Sequence, residues 1–104
     1  MSYRVGFTPE FRSHLIELNR FIAAAGSPEV ADRYTDAIAG FCASLATFPE
    51  RGIRRDDIRP GLRITNYRKR AVIAFVVDTA SEEVSVVDVF YGGRDYVTIL
   101  ADRD

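Results

Sequence analysis

The chain reads as a two-layer α+β protein in which an antiparallel sheet packs on a helical hairpin. Three observations predict it. Two helix-start phrases, Thr8-Pro9-Glu10 and Ser27-Pro28-Glu29, each open an apolar stripe at helical spacing. Residues 71–78 (AVIAFVVD) and 84–91 (VSVVDVFY) are apolar and rich in β-branched side chains, as strands are. Between the two groups lies PERGIRRDDIRPGLR, residues 49–63, punctuated by proline and glycine. A sheet with a face to cover and a hairpin with a face to hide satisfy each other by packing together.

Each element follows from local chemistry. Residues 3–7, YRVGF, read as a short strand that is expected to join the sheet. Thr8 caps the first helix, Pro9 suits its first position, and Glu10 complements the positive end of the dipole. Phe11, Leu15, Leu18, Ile22 and Ala25 then share one face, and Gly26 is the stop. Ser27-Pro28-Glu29 repeats the start. Val30, Tyr34, Ile38, Phe41, Leu45 and Phe48 line the second helix, which should end near Ala46 or Thr47, before Pro49. So short a connection makes an antiparallel αα-hairpin.

Residues 62–67 read as a short strand of the sheet, entered by a type II turn at Pro60-Gly61. Strands 71–78 and 84–91 pair as a hairpin across the turn Thr79-Ala80-Ser81-Glu82. Simple alternation puts Ala71, Ile73, Phe75 and Val77 on one face, and Val72, Ala74 and Val76 on the other. In the following strand Val84, Val86 and Phe90 alternate with Val87, Val89 and Tyr91. Gly92-Gly93 breaks the strand, and Asp95 can cap a last helix over 96–101. The order is β-αα-βββ-α, a single domain over residues 1–104. The sheet face away from the hairpin is either covered by the helices and the C-terminal segment or left for a partner protein or a second subunit.

Composition narrows the function. At 47% apolar and 28% charged, the chain has the balance of a globular protein. No apolar run approaches the ~18 residues of a membrane span, and MSYRVGFTPEF lacks the apolar centre of a signal peptide. A cytoplasmic protein without membrane contact is expected. One cysteine, Cys42, and one histidine, His14, do not make a zinc site, and no cofactor or metal is expected. Net charge is −1, yet eight of the fourteen Lys and Arg fall between residues 51 and 70. That is a local patch, and the protein as a whole is no trap for a polyanion.

Several phrases, in order, resemble a known family: a first strand leading into TPE, then SPEVADRY, then SLATFPERGIRRDDIRPGLR, then AVIAFVVD, then VVDVFYGGRD. The chain resembles the ParE branch of the RelE/ParE toxin superfamily, toxins of type II toxin–antitoxin modules also known as plasmid stabilisation proteins. The family closes its last strand with a phrase near His-Gly-Ala-Arg-Asp. Here Tyr91 replaces the histidine and Gly93 the alanine, while Arg94-Asp95 stays. The resemblance implies the β-αα-βββ fold and a toxin that inhibits DNA gyrase by binding. It implies neutralisation by a cognate ParD-like antitoxin, through which alone the complex would meet DNA. Arg94, Asp95 and Tyr96 are the expected target contacts. Arg54, Arg55, Arg59, Arg63 and Arg70 are the expected antitoxin contacts.

Catalysis is weighed against this. RelE-type relatives cut messenger RNA with clustered cations and a C-terminal tyrosine. Here Lys69 is the only lysine, arginine is a poor base, and the position for the late tyrosine falls near Leu100. His14 is mid-helix and far in sequence from the basic segment, so it reads as structural or solvent-facing. Tyr3, Tyr34 and Tyr67 read as packing residues. No catalytic residue is expected. The basic segment has three readings: a solvated loop tied by Glu50, Asp56 and Asp57 to Arg51, Arg54 and Arg55, a dock for an acidic antitoxin segment, or a phosphate contact. Asp95 is expected to cap the last helix and to pair with a loop arginine such as Arg63.

Overall fold

The computed structural model describes residues 2–102. Its elements are β1 (Arg4–Phe7), α1 (Pro9–Ala25), α2 (Pro28–Ala43) with a 3₁₀ turn (Ser44–Ala46), β2 (Ile53–Arg54), β3 (Leu62–Tyr67), β4 (Ala71–Asp78), β5 (Glu83–Tyr91) and α3 (Tyr96–Ala101). Both helix starts work as the residues predict. Thr8 Oγ1 accepts the Phe11 N–H, and Ser27 Oγ accepts the Val30 N–H, each at 3.2 Å. Thr8 Oγ1 also donates to the Val87 carbonyl at 2.8 Å, which ties the start of α1 to the sheet.

The five strands form one sheet in the order β1-β5-β4-β3-β2. β1 joins it at one edge, parallel to β5, while the other pairs are antiparallel. β2 was not foreseen. It is two residues long, and its pairing of Ile53 with Ile64 and Arg54 with Arg63 leaves no periodicity to detect. The predicted type II turn is present. The Leu62 N–H donates to the Arg59 carbonyl at 3.1 Å, and Gly61 has φ 81°.

One expectation about sheet faces is corrected. Between Ala74 and Phe75 the register with β5 shifts: Phe75 opposes Val86, but Ala74 opposes Asp88. Val87 is the extra residue of a β-bulge, and each bulge reverses the alternation beyond it. Val84, Val86, Val89 and Tyr91 therefore face the helices, while Val87 and Phe90 face the other way. The main core joins them to Phe11, Leu18, Ile38, Leu45, Ile73 and Phe75. On the opposite face Leu62, Ile64, Ala74, Val87, Phe90 and Leu100 form a second cluster, flanked by Ile58, Tyr96 and Ile99. Helix α3 and the turn before β3 thus supply cover for the face that the hairpin leaves.

Candidate functional site

The basic segment largely satisfies itself. Arg54 Nε donates to Asp56 at 3.0 Å, and Arg55 holds Asp57 through two nitrogens at 2.9 and 3.0 Å. Arg63 donates to the carbonyls of Glu50 and Arg51. Asp56 also accepts the Gly61 N–H, and that bond, more than Arg54, holds its carboxyl below the ordinary range. Of the three readings, this geometry is that of the loop tied down by its own ion pairs. Arg51 differs from its expected role. It donates to Ser44 Oγ and lies over the rings of Phe41 and Phe48, 5.0 and 5.2 Å from their centroids.

The five arginines expected at an antitoxin contact do not form one patch. Arg54 and Arg63 border a cleft of about 340 Å³ with Glu50 and Asp56. Arg55 interacts with Asp57 and with the Tyr96 hydroxyl. Arg59 belongs to the turn entering β3. Arg70 lies past the far end of β3, roughly 15 Å from Arg63 at strand rise.

Arg94, Asp95 and Tyr96 are split as well. Asp95 caps α3, accepting from Thr98 N–H at 3.2 Å and Thr98 Oγ1 at 2.7 Å, and these bonds hold its carboxyl low. Its expected pairing with Arg63 is not made, since both groups are engaged elsewhere. Tyr96 turns to the second cluster and packs on Phe90, ring centroids 6.1 Å apart. Arg94 stays on the helix side, lining a cleft of about 340 Å³ with His14, Glu17, Leu18, Phe21, Val89, Tyr91 and Gly92.

Beneath that cleft is a pair that sequence reasoning missed. His14 Nδ1 bonds Asp88 Oδ1 at 2.5 Å, and Asp88 is fully buried. A lone acid inside VVDVFY was the available signal, because a buried carboxylate needs a partner. His14, expected to be structural or solvent-facing, is partly exposed and bonded to a buried acid of the bulged strand.

Among the described residues, Arg68, Lys69, Arg70 and Arg94 have no ion pair and lie at one end of the sheet. Ala71 pairs with Tyr91, and the Gly92 N–H donates to the Arg70 carbonyl at 3.2 Å. The β3–β4 turn, with Arg68, Lys69 and Arg70, therefore lies beside the segment carrying Arg94. Arg68 and Lys69 both have positive φ, 50° and 64°, in a tight turn closed by Arg70 N–H to the Tyr67 carbonyl. Turns of this type favour glycine or asparagine, so two long cations there are an anomaly. Arg33 of α2 faces Arg68 across a further cleft.

Comparison with known proteins decides what this fold is. The family model for the ParE toxin of the type II toxin–antitoxin system parDE matches residues 5–96. The chain belongs to the ParE toxin family. Two solved structures share the ParE-like fold. One is described as the chromosomal ParDE toxin–antitoxin system from P. aeruginosa, with 16% identity, TM-score 0.73, and coverage of 86% of this chain and 96% of that one. The other is the toxin–antitoxin complex RelBE2 from Mycobacterium tuberculosis, with 20% identity, TM-score 0.64, and coverage of 88% and 100%. No curated protein sequence matches. Among the described residues no helix is long and apolar enough to cross a membrane.

Proposed function

We propose that this ParE-family chain is the toxin of a type II toxin–antitoxin module, that it inhibits DNA gyrase by binding, and that a ParD-like antitoxin neutralises it. Family membership over residues 5–96 carries the reading. The site chemistry supports binding over bond cleavage. The exposed cations of the sheet end are arginines apart from Lys69, and a guanidinium recognises carboxylates and phosphates well while serving poorly as a base. Arg94 and its cleft are the target contact in this reading. The free cations of the β3–β4 turn meet the antitoxin. DNA is reached only through the antitoxin, and the protein works in the cytoplasm, where gyrase is.

A RelE-like endoribonuclease is the second reading. Arg94 and Tyr91 on one cleft favour it, as a cation and a hydroxyl that a phosphodiester could meet. One assay separates the two. The chain is expressed without its antitoxin while growth, DNA damage response and message integrity are followed. Gyrase poisoning gives filamentous cells and a damage response with intact messages. Cleaved messages without DNA damage overturn the reading in favour of the nuclease, and normal growth with soluble protein overturns it in favour of an inert antitoxin-binding module.

A further inference from the structure

We propose that the cleft between α2 and the β3–β4 turn, walled by Val30, Arg33, Tyr34, Ala37 and Arg68, is a carboxylate-recognition pocket that receives an acidic side chain from a peptide segment of the protein's partner. The inference deepens the reading above by naming the chemistry of the docking segment and the place it docks.

Charge is the first support. Along the 49–63 segment Arg54, Arg55 and Arg63 are bound to acids or carbonyls of the same segment. They offer little to a partner without first breaking those bonds. Around the α2 cleft the situation is reversed. Arg33, Arg68, Lys69 and Arg70 are exposed and have no ion pair among the described residues. Unpaired guanidiniums in a concave place are forks waiting for a carboxylate.

The second support is a hydroxyl. Tyr34 Oη is shielded from solvent and makes no hydrogen bond among the described residues. It sits within a cluster of rings, 6.0 Å from Tyr67 and 6.1 Å from Tyr91 between centroids. Burial pushes this phenol up, with Tyr91 and Tyr67 adding to the effect and Arg68 and Arg70 opposing it. It therefore stays a proton donor. Arg68 lies over the Tyr67 ring beside it, 5.1 Å from the centroid. A carboxylate entering the cleft meets Arg33 and Arg68 on its walls and a Tyr34 hydroxyl that has no acceptor among the described residues.

The backbone is the third. Arg68 and Lys69 hold left-handed conformations that L-residues with long side chains adopt at a cost. Such strain concentrates where a turn must aim particular side chains. Here it places cations at the tip of a hairpin that runs alongside α2.

Pocket shape selects a side chain over a nucleic-acid strand. The cleft is about 300 Å³ and is lined by Val30, Ala37 and the Tyr34 ring as well as by cations. It suits an apolar stem that ends in a carboxylate. A polyanion laid across this surface would meet exposed Glu29, Asp32 and Asp36 on the same helix, which repel it.

The test is a titration of the ¹⁵N-labelled 104-residue chain with a short peptide of alternating leucine and glutamate. Controls are the same peptide with glutamine for glutamate and a short single-stranded oligonucleotide. The glutamate peptide is expected to shift the amides of residues 30–37 and 67–71 selectively. Arg33→Ala and Arg68→Ala are each expected to weaken it by about 5- to 10-fold, the size of one partly exposed charge-assisted hydrogen bond. Tyr34→Phe keeps the ring packing and should weaken it by about 3-fold or more. Equal binding of the glutamine peptide, unchanged affinity in the Arg33/Arg68 double variant, no shifts at saturating peptide, or tighter binding of the oligonucleotide at these residues would overturn the proposal. The titration does not involve growth or gyrase, so its failure leaves the toxin reading standing, and an inert chain in cells leaves the pocket standing.

Discussion

Asp88 has no contact with solvent, and His14 is one of the partners that make that tolerable, beside the Val89 N–H at 2.7 Å. A carboxylate buried without a partner loses hydration that nothing replaces. His14→Ala is therefore expected to cost about 1–3 kcal/mol of unfolding free energy, read from urea denaturation, since one partner of a buried acid is lost while others stay. A loss below about 1 kcal/mol would mean that Asp88 is satisfied by its other partners. Cys42 is the opposite case. Burial alone pushes its thiol up to about 12, so it remains a protonated, unreactive core group. The sequence had Cys42 as solitary and His14 as structural or solvent-facing. It could not pair His14 with a residue seventy-four positions away, because no local pattern encodes which strand passes beneath a helix.

Among the elements, those with start and stop chemistry were the most legible. Thr8, Ser27 and Asp95 cap the three α-helices as their side chains allow, and α3 spans the expected Tyr96–Ala101. The last turn predicted for α2 is instead the 3₁₀ turn Ser44–Ala46, the tighter geometry that helix ends often adopt. β2 exists only because β3 is beside it. Gly52 is the residue that permits this approach. Its φ is 75°, and a Cβ there would stand 2.2 Å from the Ile64 carbonyl oxygen. Backbone cannot yield as a flexible side chain does. Gly52→Ala is expected to destabilise by roughly 2 kcal/mol or more and to release the Ile53–Ile64 pairing, visible as faster amide exchange at Ile53 and Arg54. Unchanged exchange with unchanged stability would show that β2 holds without the glycine.

The molecule as a whole is a sheet with an apolar cluster on each side, one under the αα-hairpin and one under α3 and the Ile58 turn. Its surface carries a set of aspartates that are stabilised in the ionised form. Asp56 is held low chiefly by the Gly61 N–H, Asp57 by Arg55, Asp78 by the Ser81 N–H and Asp95 by Thr98. Each has a folded value below the unfolded one of about 3.9. Their contribution is thus complete above that value and is lost as pH falls through the folded values. Thermal melts are expected to be level from neutrality to about pH 5 and to drop progressively below about pH 4. A melting temperature that holds steady to pH 2 would contradict the four assignments together.

Local chemistry was enough to read the class of fold, the αα-hairpin, the three long strands and the family, because caps, turns and periodicity act between residues a few positions apart. It was also enough to find that cations concentrate between residues 51 and 70. Which of those cations are free was a matter of tertiary contact. Arg54, Arg55 and Arg63 met acids and carbonyls of their own segment, while strand pairing carried Arg68, Lys69 and Arg70 to the end where Arg94 lies. The bulge at Val87 reversed a whole stretch of side chains, and no periodicity within β5 announces it. A charge is available for recognition only if folding leaves it unpaired, and that is settled by neighbours distant in the chain.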